Sequence, residues 1–196
     1  MLTSNLLCLQ KTFSGPGYSS ILWDGTAWSN VTEELPRWTS GHCLVRLNST
    51  HVFLTGGTLD YEPRAPETYS AYFYSKETGF VKAEDMPTPR GRHACGLHQG
   101  QVVVAGGWGG GKQTSDYFSL DTQTWHSGPQ LSRKQGYART ADFVSWNNRA
   151  FWVGEKWIWE LTGDDTTSWK WETVAEMETN RNDFKAFVIP AEYCRD

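Results

Sequence analysis

Arginines recur along the chain at intervals of 43 to 53 residues, and this makes them the first candidates for chemistry. They are Arg37, Arg90, Arg133 and Arg181, with Arg92 and Arg139 nearby. A guanidinium group is planar and presents its donors as a fork that pairs with a carboxylate or a phosphate. Loops that gather several such groups would bind an acidic or polar ligand. The competing interpretation, favoured for most of them, is that each arginine forms an ion pair with the acidic residues before it.

Two loops contribute the other candidate ligand-binding residues. Residues 58–68 form a long, charged segment that two prolines stiffen, and residues 108–115 form a glycine-rich stretch that is expected to be flexible. Aromatic and arginine side chains dominate the binding energy of protein interfaces. Trp108 is therefore either a binding residue or a lid over the neighbouring segment. The candidate side chains in these loops are Tyr61, Arg64, Trp108 and Lys112.

The glycine-rich stretch does not predict nucleotide binding, and no other motif predicts catalysis. Residues 106–113 end in Gly-Lys-Gln, whereas a phosphate-binding loop needs Ser or Thr after the lysine and a helix behind it. The histidines and cysteines lack the spacing of a zinc site, and no nucleophile elbow or His-Glu-x-x-His occurs. We expect no catalytic residue, no metal and no cofactor.

A repeated unit must position these candidates. The doublet Gly56-Gly57 recurs as Gly106-Gly107, each time after a short apolar run, and Gly154 stands at the same place in a third unit. Aromatic-rich runs punctuated by turn residues predict short antiparallel strands, and a fixed period near 50 residues indicates one supersecondary unit repeated. A large aromatic residue follows the third strand of each unit: Trp28, Phe80, Trp125 and Trp171.

This pattern resembles the kelch repeat, the blade of a kelch-type β-propeller of the galactose oxidase-like superfamily. The resemblance covers residues 18–190 and implies an all-β fold, a partial propeller of about 3.5 to 4 four-stranded blades. The whole chain, 1–196, would be one kelch-repeat domain. The doublets and the aromatics are expected to be structural, because a blade buries its aromatics only against its neighbour. The predicted repeats are approximately 1–40, which is partial, 41–91, 92–136 and 137–190.

The function that the resemblance implies is protein or peptide binding without catalysis. Kelch propellers that recognise peptides often use arginines in comparable loops. Two further classes fit the same pattern: the substrate-recognition part of a ubiquitin-ligase adaptor, and a secreted or cell-surface propeller that binds sugar or matrix. A copper-radical oxidase similar to galactose oxidase is a distant alternative, because the five histidines do not gather as a metal set.

Bulk charge and hydropathy narrow the expected partners. The formal net charge is −4 and the isoelectric point is near 5.7, so the overall charge does not favour nucleic acid. No apolar run approaches the ~20 residues that span a bilayer, and the first ten residues are not typical of a signal peptide. We expect a protein or peptide ligand of acidic character, and self-association that completes the propeller.

The cysteines leave the compartment open between cytoplasmic and extracellular. Cys43 and Cys95 lie at nearly equivalent places in successive repeats and are expected to be buried, free thiols. Cys8 and Cys194 lie near the two ends, which a disulfide between them would link covalently, although spacing alone does not establish pairing. Two glycosylation sequons in predicted turns fit an extracellular placement. They begin at Asn30 and Asn48.

Overall fold

Every regular element in the described part of the chain is a β-strand. The computed structural model describes residues 6–11, 18–23, 26–31, 40–59, 66–131, 141–181 and 184–189. Their 17 strands form three four-stranded sheets, one three-stranded sheet and one two-stranded sheet, all antiparallel. The predicted fold class, an all-β partial propeller of the kelch type, is confirmed. No helix among these residues is long and apolar enough to cross a membrane.

The strands are numbered along the chain and grouped here by sheet. The first sheet contains β1 (Leu6–Lys11), β2 (Tyr18–Trp23) and β3 (Trp28–Val31). Blade 1 contains β4 (Cys43–Arg46), β5 (His51–Thr55), β6 (Ala71–Ser75) and β7 (Gly79–Lys82). Blade 2 contains β9 (Ala94–His98), β10 (Gln101–Ala105), β12 (Ser115–Ser119) and β13 (Thr124–Ser127). Blade 3 contains β14 (Asp142–Trp146), β15 (Arg149–Val153), β16 (Trp157–Thr162) and β17 (Lys170–Glu176). The short strands β8 (Arg90–Gly91) and β11 (Trp108–Gly109) pair with each other.

Strand β1 is an element that the sequence did not predict. Only the later part of the first repeat, Ile21–Trp23 and Trp28, was recognised as strand and turn. The structure adds β1, which pairs with β2 from Leu6 opposite Trp23 to Lys11 opposite Tyr18. Trp28 lies in β3, and its repeat equivalent Trp125 lies in β13, the outermost strand of blade 2. Strands β1, β2 and β3 therefore correspond to the second, third and outermost strands of a blade.

The hydrophobic core lies between neighbouring blades. Phe53 of blade 1 and Phe118 of blade 2 are fully buried with ring centres 4.8 Å apart. Across the next junction, the fully buried Trp152 of blade 3 donates from Nε1 to the carbonyl of Ala105, 3.1 Å away. A blade therefore buries its apolar face only when its neighbour is present, as expected for repeat architectures.

The repeat aromatics of blades 2 and 3 reach back to the preceding blade. Trp125 Nε1 donates to the carbonyl of Glu84 at 2.8 Å, and its backbone N–H donates to the carboxylate of Glu84 at 2.7 Å. Trp171 Nε1 donates to Ser115 Oγ at 3.1 Å. Phe80 instead packs within its own blade, 4.7 Å from the ring of Tyr74. Trp28 lies in β3, and its side chain is not among those described.

The innermost strands β4, β9 and β14 lie side by side, and a disulfide joins the first two. Cys43 and Cys95 are bonded, with Cα atoms 6.0 Å apart. The prediction that both are free thiols is therefore wrong. The reason is that innermost strands of adjacent blades approach closely, so cysteines at nearly equivalent positions meet. At the next junction the same closeness requires Gly96, where a Cβ would overlap the ring of Phe143.

Reduction of this disulfide is expected to destabilise the fold. The bond closes a loop of 52 residues, and the chain-entropy relation assigns such a loop about 4 kcal/mol. Thermal unfolding with and without dithiothreitol measures this loss, and Cys43→Ser/Cys95→Ser should match the reduced wild type under both conditions. An equal melting temperature for oxidised and reduced wild type would contradict the bond's stabilising role.

Candidate functional site

The glycine doublets end the second strands of blades 1 and 2 in left-handed conformations. Their φ values are +61°, +108°, +68° and +90° at Gly56, Gly57, Gly106 and Gly107 respectively. Side chains are also excluded there, because a Cβ at Gly107 would lie 2.7 Å from His93 Cβ. Gly154 ends β15 in blade 3 and is buried, but it is not left-handed. The third unit therefore lacks the doublet geometry as well as the doublet.

Arg90 is a structural residue and does not contribute to a binding surface. Its side chain is fully buried and pairs with Asp116, with Nη2 2.7 Å from Oδ2. The guanidinium also donates to three backbone carbonyls, those of Gly106 at 2.7 Å, Gly111 at 3.0 Å and Thr114 at 3.0 Å. The prediction that Arg90 binds a ligand is corrected by this burial, because its donors are used inside the protein.

Arg90 connects two blades. Its carbonyl accepts from Gly57 N–H at 2.8 Å in blade 1, while its guanidinium enters the loop of blade 2. Burial lowers the pKa of Arg90, and the charge of Asp116 together with the hydrogen bond to it opposes that shift. The competing sequence interpretation, pairing with a preceding acidic residue, identified the kind of contact but not the partner, which lies 26 residues later.

The loop of residues 108–115 is held by these contacts. The carbonyls of Gly111 and Thr114 face the buried guanidinium, and Thr114 N–H donates to Gly111 O at 3.1 Å. Trp108 and Gly109 pair with Gly91 and Arg90 as the two-stranded sheet. The backbone of this loop is therefore organised around one cation, a contact that the sequence, with its expectation of a flexible glycine stretch, did not predict.

Arg92 and Trp108 are the two predicted ligand-binding residues that the structure brings together. Arg92 is exposed, and its guanidinium carbon lies 4.7 Å from the ring centre of the half-buried Trp108. The backbone of Arg92 is left-handed, with φ of +55°, and its N–H donates to Gly41 O at 2.7 Å. Glu67, which the sequence analysis did not single out, borders this pair: a Cβ at Gly109 would lie 3.2 Å from its Oε2. We call Arg92, Trp108 and Glu67 the Arg92–Trp108 surface.

The remaining predicted residues do not assemble into a ring of arginines in the described part of the chain. Lys112 and Arg181 are both exposed, and Arg181 N–H donates to Glu155 O at 2.7 Å. Asn30 and Asn48 are exposed as well. The candidates that lie outside the described residues are Arg37, Tyr61, Arg64, Arg133, Arg139 and Cys194, and for Cys8 only the strand is described.

His93 is buried beside the doublets. Its Nε2 lies 2.8 Å from Thr55 Oγ1, and its Nδ1 has no hydrogen-bond partner among the described residues. Burial, with smaller contributions from the charges of Arg90 and His42, lowers the pKa of His93 to about 3. The described residues contain no cluster of three His, Cys, Asp or Glu side chains that could hold a metal ion.

Breaking the Arg90–Asp116 pair is expected to destabilise the protein strongly. Asp116→Ala leaves a buried cation without its carboxylate, which costs about 3–5 kcal/mol of unfolding free energy, and Arg90→Met should cost several times more than Arg92→Met. Arg92 is the matched control because it is exposed, and surface substitutions usually cost within about 0.5 kcal/mol. Urea denaturation measures all three variants. Equal losses for Arg90→Met and Arg92→Met would contradict the role assigned to Arg90.

His93 is expected to make the fold sensitive to acid. Its pKa is about 3 in the folded chain against an ordinary value of 6.5, so below pH 6.5 the unfolded chain binds more protons. The stabilisation is complete above pH 6.5 and is lost as the pH falls towards 3, at up to about 1.4 kcal/mol per pH unit. Urea denaturation between pH 7 and 4 should show a shallower dependence for His93→Gln than for wild type. His51→Gln, at an exposed histidine, should keep the wild-type slope; an unchanged slope for His93→Gln would refute the assignment.

Comparison with known proteins agrees with the blade architecture. A family model described as Kelch motif matches residues 89–132, which include all of blade 2 and Arg90. Kelch-like protein 41b of Danio rerio is 26% identical over 136 residues, covering 68% of this chain and 21% of that protein. The chain thus spans about a fifth of the length of that relative. The repeated blades, the doublets and these similarities identify the chain as a kelch-repeat protein.

Proposed function

We propose that this kelch-repeat module binds an acidic segment of a partner protein at the Arg92–Trp108 surface and performs no catalysis. The observation that carries the proposal is an exposed guanidinium 4.7 Å from the centre of an indole ring. Trp108 lies on the loop that the buried Arg90 holds, and the backbone of Arg92 is bonded to Gly41. Kelch repeats and the similarity to a kelch-like protein support a protein-interaction module. The chemistry of the exposed pair supports the acidic character of the ligand.

The geometry of the pair suits a carboxylate. The Arg92 guanidinium carbon lies over the Trp108 ring, and a guanidinium held by one face can still offer its N–H edge to a bidentate carboxylate. A cation–π contact at an exposed site contributes about 0.5–1 kcal/mol, which restricts the orientation of the fork. Lys112, exposed on the same loop, adds positive charge. Glu67 would accept an N–H of the bound segment.

Binding of acidic peptides tests this assignment. The probes are fluorescein-labelled peptides rich in Glu, compared by anisotropy with peptides in which Gln replaces Glu. Wild type should prefer the Glu peptides, and Arg92→Glu and Trp108→Ala should each weaken binding at least ~10-fold, as for an interface hot spot.

Matched controls exist in the same blades. Arg46→Glu makes the same charge change at the opposite end of β4, where the side chain is exposed, and Trp146→Ala removes an indole that is 46% exposed in the β14–β15 hairpin. Both should bind as wild type. Equal affinity for Glu and Gln peptides, or equal losses in the controls, would overturn the proposed surface.

The disulfide favours a secreted or cell-surface setting for this binding function over a ubiquitin-ligase adaptor. Structural disulfides persist in oxidising compartments and are rare in the cytosol, and Cys43–Cys95 joins two innermost strands. Asn48 is exposed in a turn where its Oδ1 accepts from Thr50 N–H at 2.9 Å, so a glycan there would meet solvent. In the adaptor setting the same blades would recognise a substrate.

The redox state in the cell distinguishes the two settings. When chains are recovered from expressing cells into an alkylating agent, mass spectrometry should find Cys43 and Cys95 unmodified. Glycosidase treatment should lower the mass of the wild-type chain but leave the mass of an Asn30→Gln/Asn48→Gln chain unchanged. Alkylated Cys43 and Cys95 with no glycan would instead support the cytosolic adaptor.

Self-association is the remaining part of the proposal. In the described part of the chain the first sheet has three strands where blades 1 to 3 have four, and a second copy of the chain could supply a further strand. Light scattering after size exclusion should give twice the monomer mass of 22.2 kDa.

A further inference from the structure

The side chain of Glu67 lies against the two glycines of the short sheet formed by β8 and β11. A Cβ at Gly91 would lie 3.3 Å from Glu67 Cγ, and a Cβ at Gly109 would lie 3.2 Å from Glu67 Oε2. The backbone of Glu67 is held in turn by an antiparallel bridge to Thr58. The glycines therefore leave the space that this carboxylate occupies, and its position is fixed from both sides.

No cation neutralises the Glu67 carboxylate among the residues that the structure describes. The residue is half-buried, and it takes part in none of the ion pairs or side-chain hydrogen bonds there. Other carboxylates of similar or greater burial are paired: Asp116, Asp142 and Glu160 each contact a basic side chain. A partly desolvated carboxylate is stabilised by a cation, so Glu67 has an unused capacity to bind one.

The opposite charge on the same surface is also unpaired. Arg92 directly follows Gly91, which pairs with Trp108 in the short sheet. Its guanidinium lies over the Trp108 ring, and in the described part of the chain it forms no ion pair with Glu67 or with any other carboxylate. One surface therefore presents a cation and an anion that do not neutralise each other.

We propose that the Arg92–Trp108 surface recognises a segment that carries one acidic and one basic residue, with Arg92 binding the carboxylate and Glu67 binding the cation. The inference rests on the proposed binding function and adds to it the residue that selects the ligand. A second acidic residue at the place of the basic one would face the Glu67 carboxylate, and like charges brought together at an interface oppose binding.

The spacing of the two charges in the ligand follows from an extended conformation. Alternate residues of a strand lie on the same face about 7 Å apart. Arg92 and Glu67 flank a sheet of only two residue pairs, so a segment that crosses it presents two side chains to them when one residue separates its acidic and basic positions. We therefore expect the sequences Glu-x-Lys or Lys-x-Glu.

Peptide binding measures this selectivity. The probes are fluorescein-labelled peptides with blocked ends that contain Glu-x-Lys, Lys-x-Glu, Glu-x-Gln or Gln-x-Gln, compared by anisotropy. Wild type should bind one of the two Lys-containing peptides about 5-fold more tightly than Glu-x-Gln, as expected for a partly exposed ion pair. Blocked ends ensure that the cation is the lysine side chain and not an amino terminus.

Substitution of Glu67 assigns the preference to this residue. Glu67→Gln keeps the size of the side chain and should abolish the preference for lysine while retaining the preference for Glu-x-Gln over Gln-x-Gln. Glu67→Lys should reverse the selectivity and favour Glu-x-Glu over Glu-x-Lys. The matched control is Glu77→Gln, at an exposed carboxylate in the β6–β7 hairpin, which should behave as wild type.

The outcomes separate this inference from the proposed function. Wild type that prefers Glu-x-Gln to Gln-x-Gln but does not distinguish lysine from glutamine would keep the acidic ligand and overturn the role of Glu67. A lysine preference that survives in Glu67→Gln and Glu67→Lys would overturn that role as well. No preference for any glutamate-containing peptide would refute the proposed function and this inference together.

Discussion

The buried contact of Arg90 with Asp116 and three loop carbonyls is the constraint on which the rest of the structure depends. A guanidinium without solvent requires every donor to be satisfied, and here acceptors from the next blade satisfy it. The carbonyls that turn towards it fix the path of the glycine loop, and this path requires left-handed glycines. The stability of the junction and the shape of the exposed face therefore have the same cause.

The periodic features could be predicted from the sequence, and the contacts between repeats could not. Glycine doublets and aromatic spacings are local signals, so the number and nature of the blades followed from them. The partner of Arg90 was sought among the acidic residues that precede it, but Asp116 belongs to the following blade. A carboxylate between Ser115 and Tyr117 in a strand was the available signal, because a buried charge needs a partner.

The same distinction explains the cysteines and the first sheet. Burial of Cys43 and Cys95 was predicted from their strands, but their bond depends on the distance between blades, which sequence spacing does not encode. The leucines of β1 formed a short apolar run with no neighbouring doublet, so only the hydrogen bonds to β2 identify it as a strand. At the candidate site, the sequence predicted Arg92 and Trp108 as ligand-binding residues. Their contact could not be predicted, because the position of Arg92 depends on its backbone hydrogen bond to the distant Gly41.

The direction in which Arg90 points gives the array of blades a polarity. A junction built this way has an arginine before the later blade and a set of carboxylate and carbonyl acceptors on that blade, so the two ends of an array are chemically different. Removing blade 2 would uncover the Arg90 cation, because its acceptors lie in that blade. Removing blade 1 together with Arg90 would leave the carbonyls of Gly106, Gly111 and Thr114 without their donor. Shortening or lengthening the array by one blade is therefore not a symmetric operation, and the tolerated end is the one where water can solvate the charge left behind.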